Sequence, residues 1–567
     1  MDLKQLVADE CNFPQEINFS ADNLQLTPNM DMGDFSLPCF AFSKALRKSP
    51  VMIAEELKTK VNTNGFVEKV EVVNGYLNFF VNKKKLGYTI LNEVLEGKED
   101  FGKDNIGQGK VVCIDYSSVN LAKYMHIGHL STTLIGECLK KVYNHLGYKT
   151  VAINYVGDYG TPFGKMIAGY KLWGNKEDVM ARGVDAIQEL YVKFCAEAEK
   201  DESLNDLARE WFKKIEDKDE EALEIYNLFI KLTIEDIKKI YDMLNITFDS
   251  WRGESYYNDK MQPIVDELEE KGLLQESRGA KIVDLEEHNL GVCLIRKSDG
   301  TSLYATRDLA AADDRYITYN FDKSLYVTDV SQRQHFAQFF KVLELLGRPY
   351  AKGLEHVYYG RFSLPNGMKI ASRKGKQAVL KDIFKTAVEK AEDVIKDRKE
   401  IAENAKEIAE AVGIGAVVFS ALKQEKIKDV VFDLDEALNF ELETSPYIQY
   451  TNARCNSIIA KSNVTDLEDR IISQFDFDEI DNPESTTLLR LLNDFPTVVK
   501  NVARDNEPCY ISRLLIDICK AFNKFYNNHR IIHSDKICYT RLALTKATQT
   551  VLSNGLRLLG ITVLEKM

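Results

Sequence analysis

The chain lacks paired cysteines. Its ten cysteines are scattered over 567 residues and none stands in a Cys-x-x-Cys spacing, so reduced thiols are expected and a structural zinc site is not. It lacks any uninterrupted apolar run near the ~20 residues that cross a bilayer, so no membrane-spanning helix is expected. Met1 to Phe13 show no basic cluster followed by an apolar stretch. No secretory leader is therefore expected, and the cytoplasm is the expected compartment. Positive charge is not in surplus. Lys and Arg number 74 against 87 Asp and Glu, a net charge of −13, which argues against indiscriminate nucleic-acid binding. No internal repeat or low-complexity tract is evident.

What remains is ordinary globular composition, 45% hydrophobic and 28% charged, in a chain long enough for three or four domains. Residues 1–108 mix short helical and strand patterns. Within them Val67–Val81 reads as a hairpin turning at Asn74-Gly75, and the tract from Glu99 to Gly109 reads as a linker. Residues 109–385 alternate apolar strands with helices, the pattern of a parallel sheet covered by helices. The candidate strands are Val111–Asp115, Thr150–Tyr155, Ser324–Val330 and His356–Ser363. A charged helical stretch, Asn175 to Leu244, interrupts them and reads as an insertion covering about 170–250. Residues 386–567 are almost entirely helical in period. From Arg490 to the end, twelve basic residues face six acidic ones. That suits selective docking of a polyanion, and equally a solvated helical surface.

The richest stretch follows the first of these strands. Ser117 to Leu130 carries His126, Gly128 and His129 and leads into a helix at Ser131. A strand, a tight polar turn and a helix N-terminus together favour phosphate. Free N–H groups and the helix dipole attract anions, two imidazoles can donate to one polyphosphate, and Gly128 permits close approach. Alone, two nearby histidines are more often solvated or a chance metal pair. Their context and the wording of the run, Asp115 through Asn120 and Lys123 to Leu130, decide otherwise. The run resembles the HIGH signature of class I aminoacyl-tRNA synthetases, in the form found in arginyl-tRNA synthetases.

Other segments extend the resemblance over nearly the whole chain. Asn154 to Gly164 is similar to the family's glycine-rich block, with Tyr159 for Trp and Pro162 for Gln. Lys369-Ile370-Ala371-Ser372-Arg373-Lys374-Gly375 resembles the KMSKS loop in its arginyl variant. Ser372 stands where the second lysine belongs, and Lys123, Arg373 and Lys374 are the candidates to supply that charge. Tyr447 to Cys455 and the segment from Thr540 to Met567 resemble the α-helical anticodon-binding domain. Residues 1–108 resemble the family's additional domain, which contacts the outer corner of the tRNA.

A guanidinium keeps its charge and offers five donors in a rigid fork, so its pocket needs carboxylates. Tyr304 and Asp308 lie four apart and would share a helix face. Without the resemblance they read as a half-buried Tyr and a surface Asp. With it, Tyr304, Asp308, Asp115, Glu254 and Gln332 are implied to line an arginine pocket, and Asn120 to hold the substrate's α-amino or carboxylate group. The resemblance implies His126, His129, Lys123 and Lys369 as catalytic groups. Gly128, Ser372 and Arg373 join them around ATP, which would bring Mg²⁺. It implies Tyr450, Arg454, Asn554 and Met567 as tRNA contacts. Phe522 to Arg530 could stack on unstacked bases, although their helical spacing also suits a core.

The implied fold is α/β: a Rossmann-type parallel-sheet catalytic domain with a helical insertion, a small α+β N-terminal domain and an all-α C-terminal bundle. The implied partners are tRNA(Arg), L-arginine and ATP, with no membrane and a monomeric state. A class I enzyme for another amino acid, a non-catalytic tRNA-binding paralogue and a helical scaffold are the alternatives. Acidic Asp115 and Asp308 disfavour an acidic substrate, and the missing zinc constellation disfavours cysteine. Intact His126, His129, Lys123, Asp308 and Lys369 argue against loss of catalysis.

Overall fold

The computed structural model describes the chain apart from residues 1, 29, 122, 298–303, 366–377, 397–403, 465–474 and 535. Its centre is a parallel sheet of β1 (Val111–Asp115), β2 (Lys149–Ile153), β3 (Lys323–Asp329) and β4 (Leu354–Tyr359). The spatial order is β4-β3-β1-β2. Side chains alternate between the two faces, so each strand feeds two cores. Val112, Ile114, Leu325 and Val327 enter the core that contains α1 (Leu130–His145). Cys113, Ile153 and Tyr326 enter a second core with α2 (Tyr304–Tyr319) and α3 (Arg333–Leu345). The chain leaves β1 towards β2 on one side and returns to β3 on the other. The C-terminal ends of β1 and β3 therefore flank a crevice where the connections diverge, the usual ligand position in such sheets.

The three other candidate strands depart from their expected ends. The expected strand His356–Ser363 divides into β4 and a two-residue strand, Phe362–Ser363, which pairs with Val430–Val431. Gly360 makes the division. Its N–H donates to the Lys426 carbonyl at 2.8 Å, and a Cβ there would collide with the backbone of Ile427 and Lys428.

Directly after β2 come five successive helices: Thr161–Trp173, Lys176–Arg182, Val184–Ala198, Ser203–Glu216 and Glu220–Met243. After them comes an antiparallel sheet of Leu274–Ser277, Ala280–Asp284 and Val292–Arg296, which the sequence did not suggest. Its first strand is mostly exposed and has no apolar alternation to betray it.

The N-terminal hairpin forms as expected, with Asn74 and Gly75 at φ +50° and +83°. It belongs to a four-stranded antiparallel sheet backed by helix Pro50–Lys58. Helix Lys83–Gly97 leaves that domain and meets the C-terminal helices, where Lys84 pairs with Asp478 at 2.6 Å. The C-terminal bundle contains Leu380–Lys396, Ala405–Leu422, Ser445–Lys461, Pro483–Asp505, Cys509–Asn528 and Tyr539–Leu559. In the first of these, Leu380, Ile383, Phe384, Ala387, Ala391 and Ile395 form one buried stripe at three- and four-residue spacing.

Candidate active site

Two features meet around the sheet's C-terminal edge: a histidine turn at the N-terminus of α1 and an acidic pocket on the α2 side. The chain leaves β1 through Ser117 and Ser118, both at positive φ (+72° and +35°). Such backbone costs about 1 kcal/mol or more per residue unless its surroundings hold it. Here they do. The Ser117 N–H donates to Thr132 Oγ1 at 3.0 Å, and its hydroxyl lies 2.8 Å from that of Thr133 and 2.6 Å from that of Tyr241.

His126 caps a short 3-10 turn, Ile127–His129, that runs into α1. Its Nδ1 accepts the Gly128 N–H at 3.1 Å, and Nδ1 of His129 accepts the His126 N–H at 3.2 Å. A neutral imidazole that accepts at Nδ1 carries its proton on Nε2, so each ring retains one donor for an outside oxygen. Burial, and then the charges of His126 and Lys123, push His129 down to about 3. Burial and Lys123 also lower His126. Both rings are therefore neutral donors at pH 7. A Cβ at residue 128 would stand 2.9 Å from the His126 ring, so Gly128 makes room for the histidine as well as for a ligand.

Lys123 is exposed beside this turn. The Ile127 N–H donates to Ala378, and the Leu380 N–H to Met125. The segment that follows residue 377 thus pairs with the histidine turn. Lys369, Ser372 and Arg373 lie outside the described residues.

The acidic pocket is assembled from several elements. Asp115 ends β1, in register with Ile153 and Tyr326, and is buried. It accepts Ser118 Oγ at 2.8 Å and Arg315 Nη2 at 2.7 Å. Burial raises its carboxyl, and the Arg315 guanidinium pulls it back. Asp115 is thus already neutralised by a buried internal partner, which the sequence did not indicate. Asp308 and Arg315 lie seven apart on α2 and share a face. Asp308 is only partly buried, and its Oδ2 is 2.6 Å from Nε2 of His335 in the first turn of α3.

Glu254 comes from the segment after the insertion helices. Asp158, in the glycine-rich block, accepts both the N–H and hydroxyl of Ser255 at 2.8 and 2.6 Å, and so fixes Glu254. Oε2 of Glu254 meets Arg307 Nη1 at 3.4 Å. Burial lifts Glu254 to about 7, with Arg307 lowering it and the charges of Asp308 and Asp158 raising it. The buried Tyr155 hydroxyl has no hydrogen-bond partner among the described residues. Burial first, then the charges of Asp308 and Glu254, hold its phenol well above the ordinary value. Two acids and an unpaired phenol within reach of one another's charge are an arrangement that can accept a cation with several donors.

The structure brings Asp308, Glu254 and Asp115 together, with Gln332 exposed at the start of α3 and Asn120 exposed after β1. Tyr304 opens α2 as expected, but its side chain lies outside the described residues. In the C-terminal bundle, Arg454 lies over the rings of Tyr450 (4.8 Å) and Tyr526 (5.8 Å), and donates to Asn523 at 2.9 Å. Phe522 and Phe525 are buried, whereas Tyr526 is 38% exposed, so that segment serves both core and surface.

Asn554 requires correction. It is buried and donates to the carbonyls of Lys98 and Phe101 at 2.9 and 3.2 Å, which makes it a joint between the C-terminal helix and the linker rather than a surface contact. Met567 is half-buried against the core. Sequence reading missed His335, Arg307, Tyr155, Arg315 and the positioning role of Asp158. Tyr155 and Asp158 lie in the glycine-rich block and Arg307 stands beside Asp308, so those three left a local signal without a role.

The family model for the catalytic domain of class I tRNA synthetases (R) matches residues 90–434, the DALR anticodon binding domain matches 448–567, and the arginyl tRNA synthetase N terminal domain matches 1–81. The arginine–tRNA ligase of Alkaliphilus metalliredigens is 46% identical over 545 residues, covering 96% of this chain and 95% of the relative. That of Clostridium perfringens is 43% identical over 573 residues, covering both chains in full. The solved arginyl-tRNA synthetase structures of Thermus thermophilus and Plasmodium falciparum superpose with TM-scores of 0.77 and 0.78. Each is 23% identical and covers 96% of this chain, and 96% and 94% of its own; they bear on the fold.

Proposed function

The chain belongs to the class I arginyl-tRNA synthetase family, and from that premise we propose that it activates L-arginine with ATP and transfers it to the terminal ribose of tRNA(Arg), releasing AMP and pyrophosphate. The observation that carries the substrate assignment is the presence of two partly buried carboxylates, Asp308 and Glu254, that feel each other's charge, in the same catalytic domain as the histidine turn. An amino acid with a guanidinium satisfies that pocket. A neutral or acidic one leaves the second oxygen of each acid without a donor.

Arginine's α-carboxylate is ionised at neutral pH, so activation needs no general base. One carboxylate oxygen attacks the α-phosphorus of ATP, the bond to the β-phosphate bridging oxygen breaks, and pyrophosphate leaves with that electron pair. The protein aligns the two substrates and stabilises the charge that develops. His126 and His129 donate through Nε2–H to phosphate oxygens. Lys123 and Lys369 offset charge on the leaving group, and Ser372, Arg373 and Gly128 complete the ATP site. Asp308, Glu254 and Tyr304 take the guanidinium. Asn120 holds the α-amino or carboxylate group, and Gln332 and Asp115 line the pocket with them.

Mg²⁺ enters as the ATP complex. Phosphate oxygens of ATP would be its natural ligands. The 2′-hydroxyl of the terminal ribose then attacks the arginyl carbonyl, and AMP leaves. Tyr450, Arg454 and Met567 contact the tRNA in this reading, supported by the basic surplus of the C-terminal segment. No helix among the described residues is long and apolar enough to cross a membrane. A monomer working in the cytoplasm is the reading that accompanies this one.

ATP–pyrophosphate exchange, run for each amino acid with and without tRNA, tests the assignment. Exchange with arginine alone is expected, and only when tRNA is present. Exchange with a different amino acid would overturn the pocket assignment, and none at all in a folded protein that binds tRNA would favour a non-catalytic paralogue.

A further inference from the structure

His335 stands three residues after Gln332, and the sequence alone assigned it no role. It sits in the first turn of α3, its ring packed beside Phe336 and Phe339 with centroids 5.4 and 6.0 Å away. Its Nε2 lies 2.6 Å from Oδ2 of Asp308. An ionised carboxylate can only accept, so the proton between them belongs to the imidazole. Glu254, which feels the charge of Asp308, is arranged in a similar way. Its Oε2 faces Arg307 Nη1 at 3.4 Å, and Arg307 is steadied by Asn258 Oδ1 at 3.3 Å and by the Tyr159 ring 5.0 Å away. Each acid is therefore tied to a protein donor through one oxygen. The other oxygens, Asp308 Oδ1 and Glu254 Oε1, have no such partner among the described residues.

We propose that His335 is a positioning residue of the arginine pocket: by holding Oδ2 of Asp308 it fixes the plane of that carboxylate, so that the guanidinium bridges one oxygen of Asp308 and one of Glu254 instead of closing on Asp308 alone. The inference rests on the reading of the site as an arginine pocket. The chemistry favours it, because a rigid planar fork binds well only where acceptors are held in a matching plane. An Asp308 free to rotate would meet the same ligand with its oxygens misdirected. His335 itself touches no reacting atom.

The test is steady-state tRNA charging by the full-length enzyme and by His335→Ala, His335→Gln and His335→Asn, with KM measured separately for arginine and ATP. A glutamine amide nitrogen can reach the place of Nε2, whereas that of asparagine falls nearer Nδ1. His335→Ala and His335→Asn are expected to raise the arginine KM on the order of tenfold or more, with kcat and the ATP KM within about threefold. His335→Gln is expected to recover most of that loss. Equal loss in the Gln and Ala variants, or an arginine KM that does not move in Ala, overturns the positioning role. So does a loss spread equally over both substrates. Thermal unfolding of all three variants separates these results from misfolding, and His335→Gln keeps the test decisive if Ala fails to fold. A wild-type enzyme that charges no arginine would instead refute the pocket reading itself, independently of His335.

Discussion

Arginine keeps its charge throughout the range in which the protein is folded, so the ionisation that governs its binding belongs to the pocket. Glu254, lifted to about 7 by burial, is that group. Below pH 7 it is mostly protonated in the free enzyme, and a bound guanidinium requires it ionised, so binding releases a proton. Arginine affinity should therefore rise with pH up to about 7 and level off above it. The arginine KM should climb roughly tenfold per unit on the acid side. Glu254→Gln should weaken binding and flatten the profile, and a wild-type KM constant from pH 5.5 to 8 would contradict the assignment. Asp308→Ala removes one guanidinium acceptor and leaves His335 without its partner. A loss of about 3 kcal/mol, on the order of a hundredfold in arginine KM, is expected, with the ATP KM little changed. Equal changes in both constants would take Asp308 out of the pocket. Asp308 was readable because it stands in a motif. His335 was not, because its pairing arises from how two helices pack on one sheet face, which no local pattern encodes.

At the scale of elements, the strand–turn–helix unit was the most legible part of the chain. An apolar run, a polar turn with histidines and a helix N-terminus are all local signals, and β1 and α1 form where they point. What lay beyond reading was the internal wiring of the turn: a histidine that caps its own glycine and a second that caps the first. That wiring fixes both Nε2–H donors. His129→Ala should lower kcat on the order of a hundredfold, the usual loss when one donor to developing charge is removed, while tRNA affinity is largely spared. An unchanged kcat, measured at saturating substrates, would show that the turn does not serve phosphate. The antiparallel sheet 274–296 escaped because its strands are short, partly exposed and charged. The split after β4 escaped because Gly360 answers to a segment 66 residues away.

Across the whole molecule, three parts must hold fixed positions if one end of a long RNA is to reach the crevice while another part is held elsewhere. Composition and periodicity gave the order of these parts, but not their joints. Asn554 is such a joint, tying the last long helix to the backbone at Lys98 and Phe101. Asn554→Ala removes both side-chain hydrogen bonds at this joint and leaves the Lys98 carbonyl with only the Phe101 N–H, so unfolding by denaturant should show about 2 kcal/mol less stability. Full stability with weakened tRNA binding would restore Asn554 to the RNA surface. The assembled molecule has one task that tests all of it together, charging of purified tRNA with radiolabelled amino acids. Charging with arginine, and none with lysine, glutamine or the neutral isostere citrulline, is the expected result. Charging with any of those three, or none with arginine in a folded protein, would contradict the acidic pocket as the seat of the enzyme's choice.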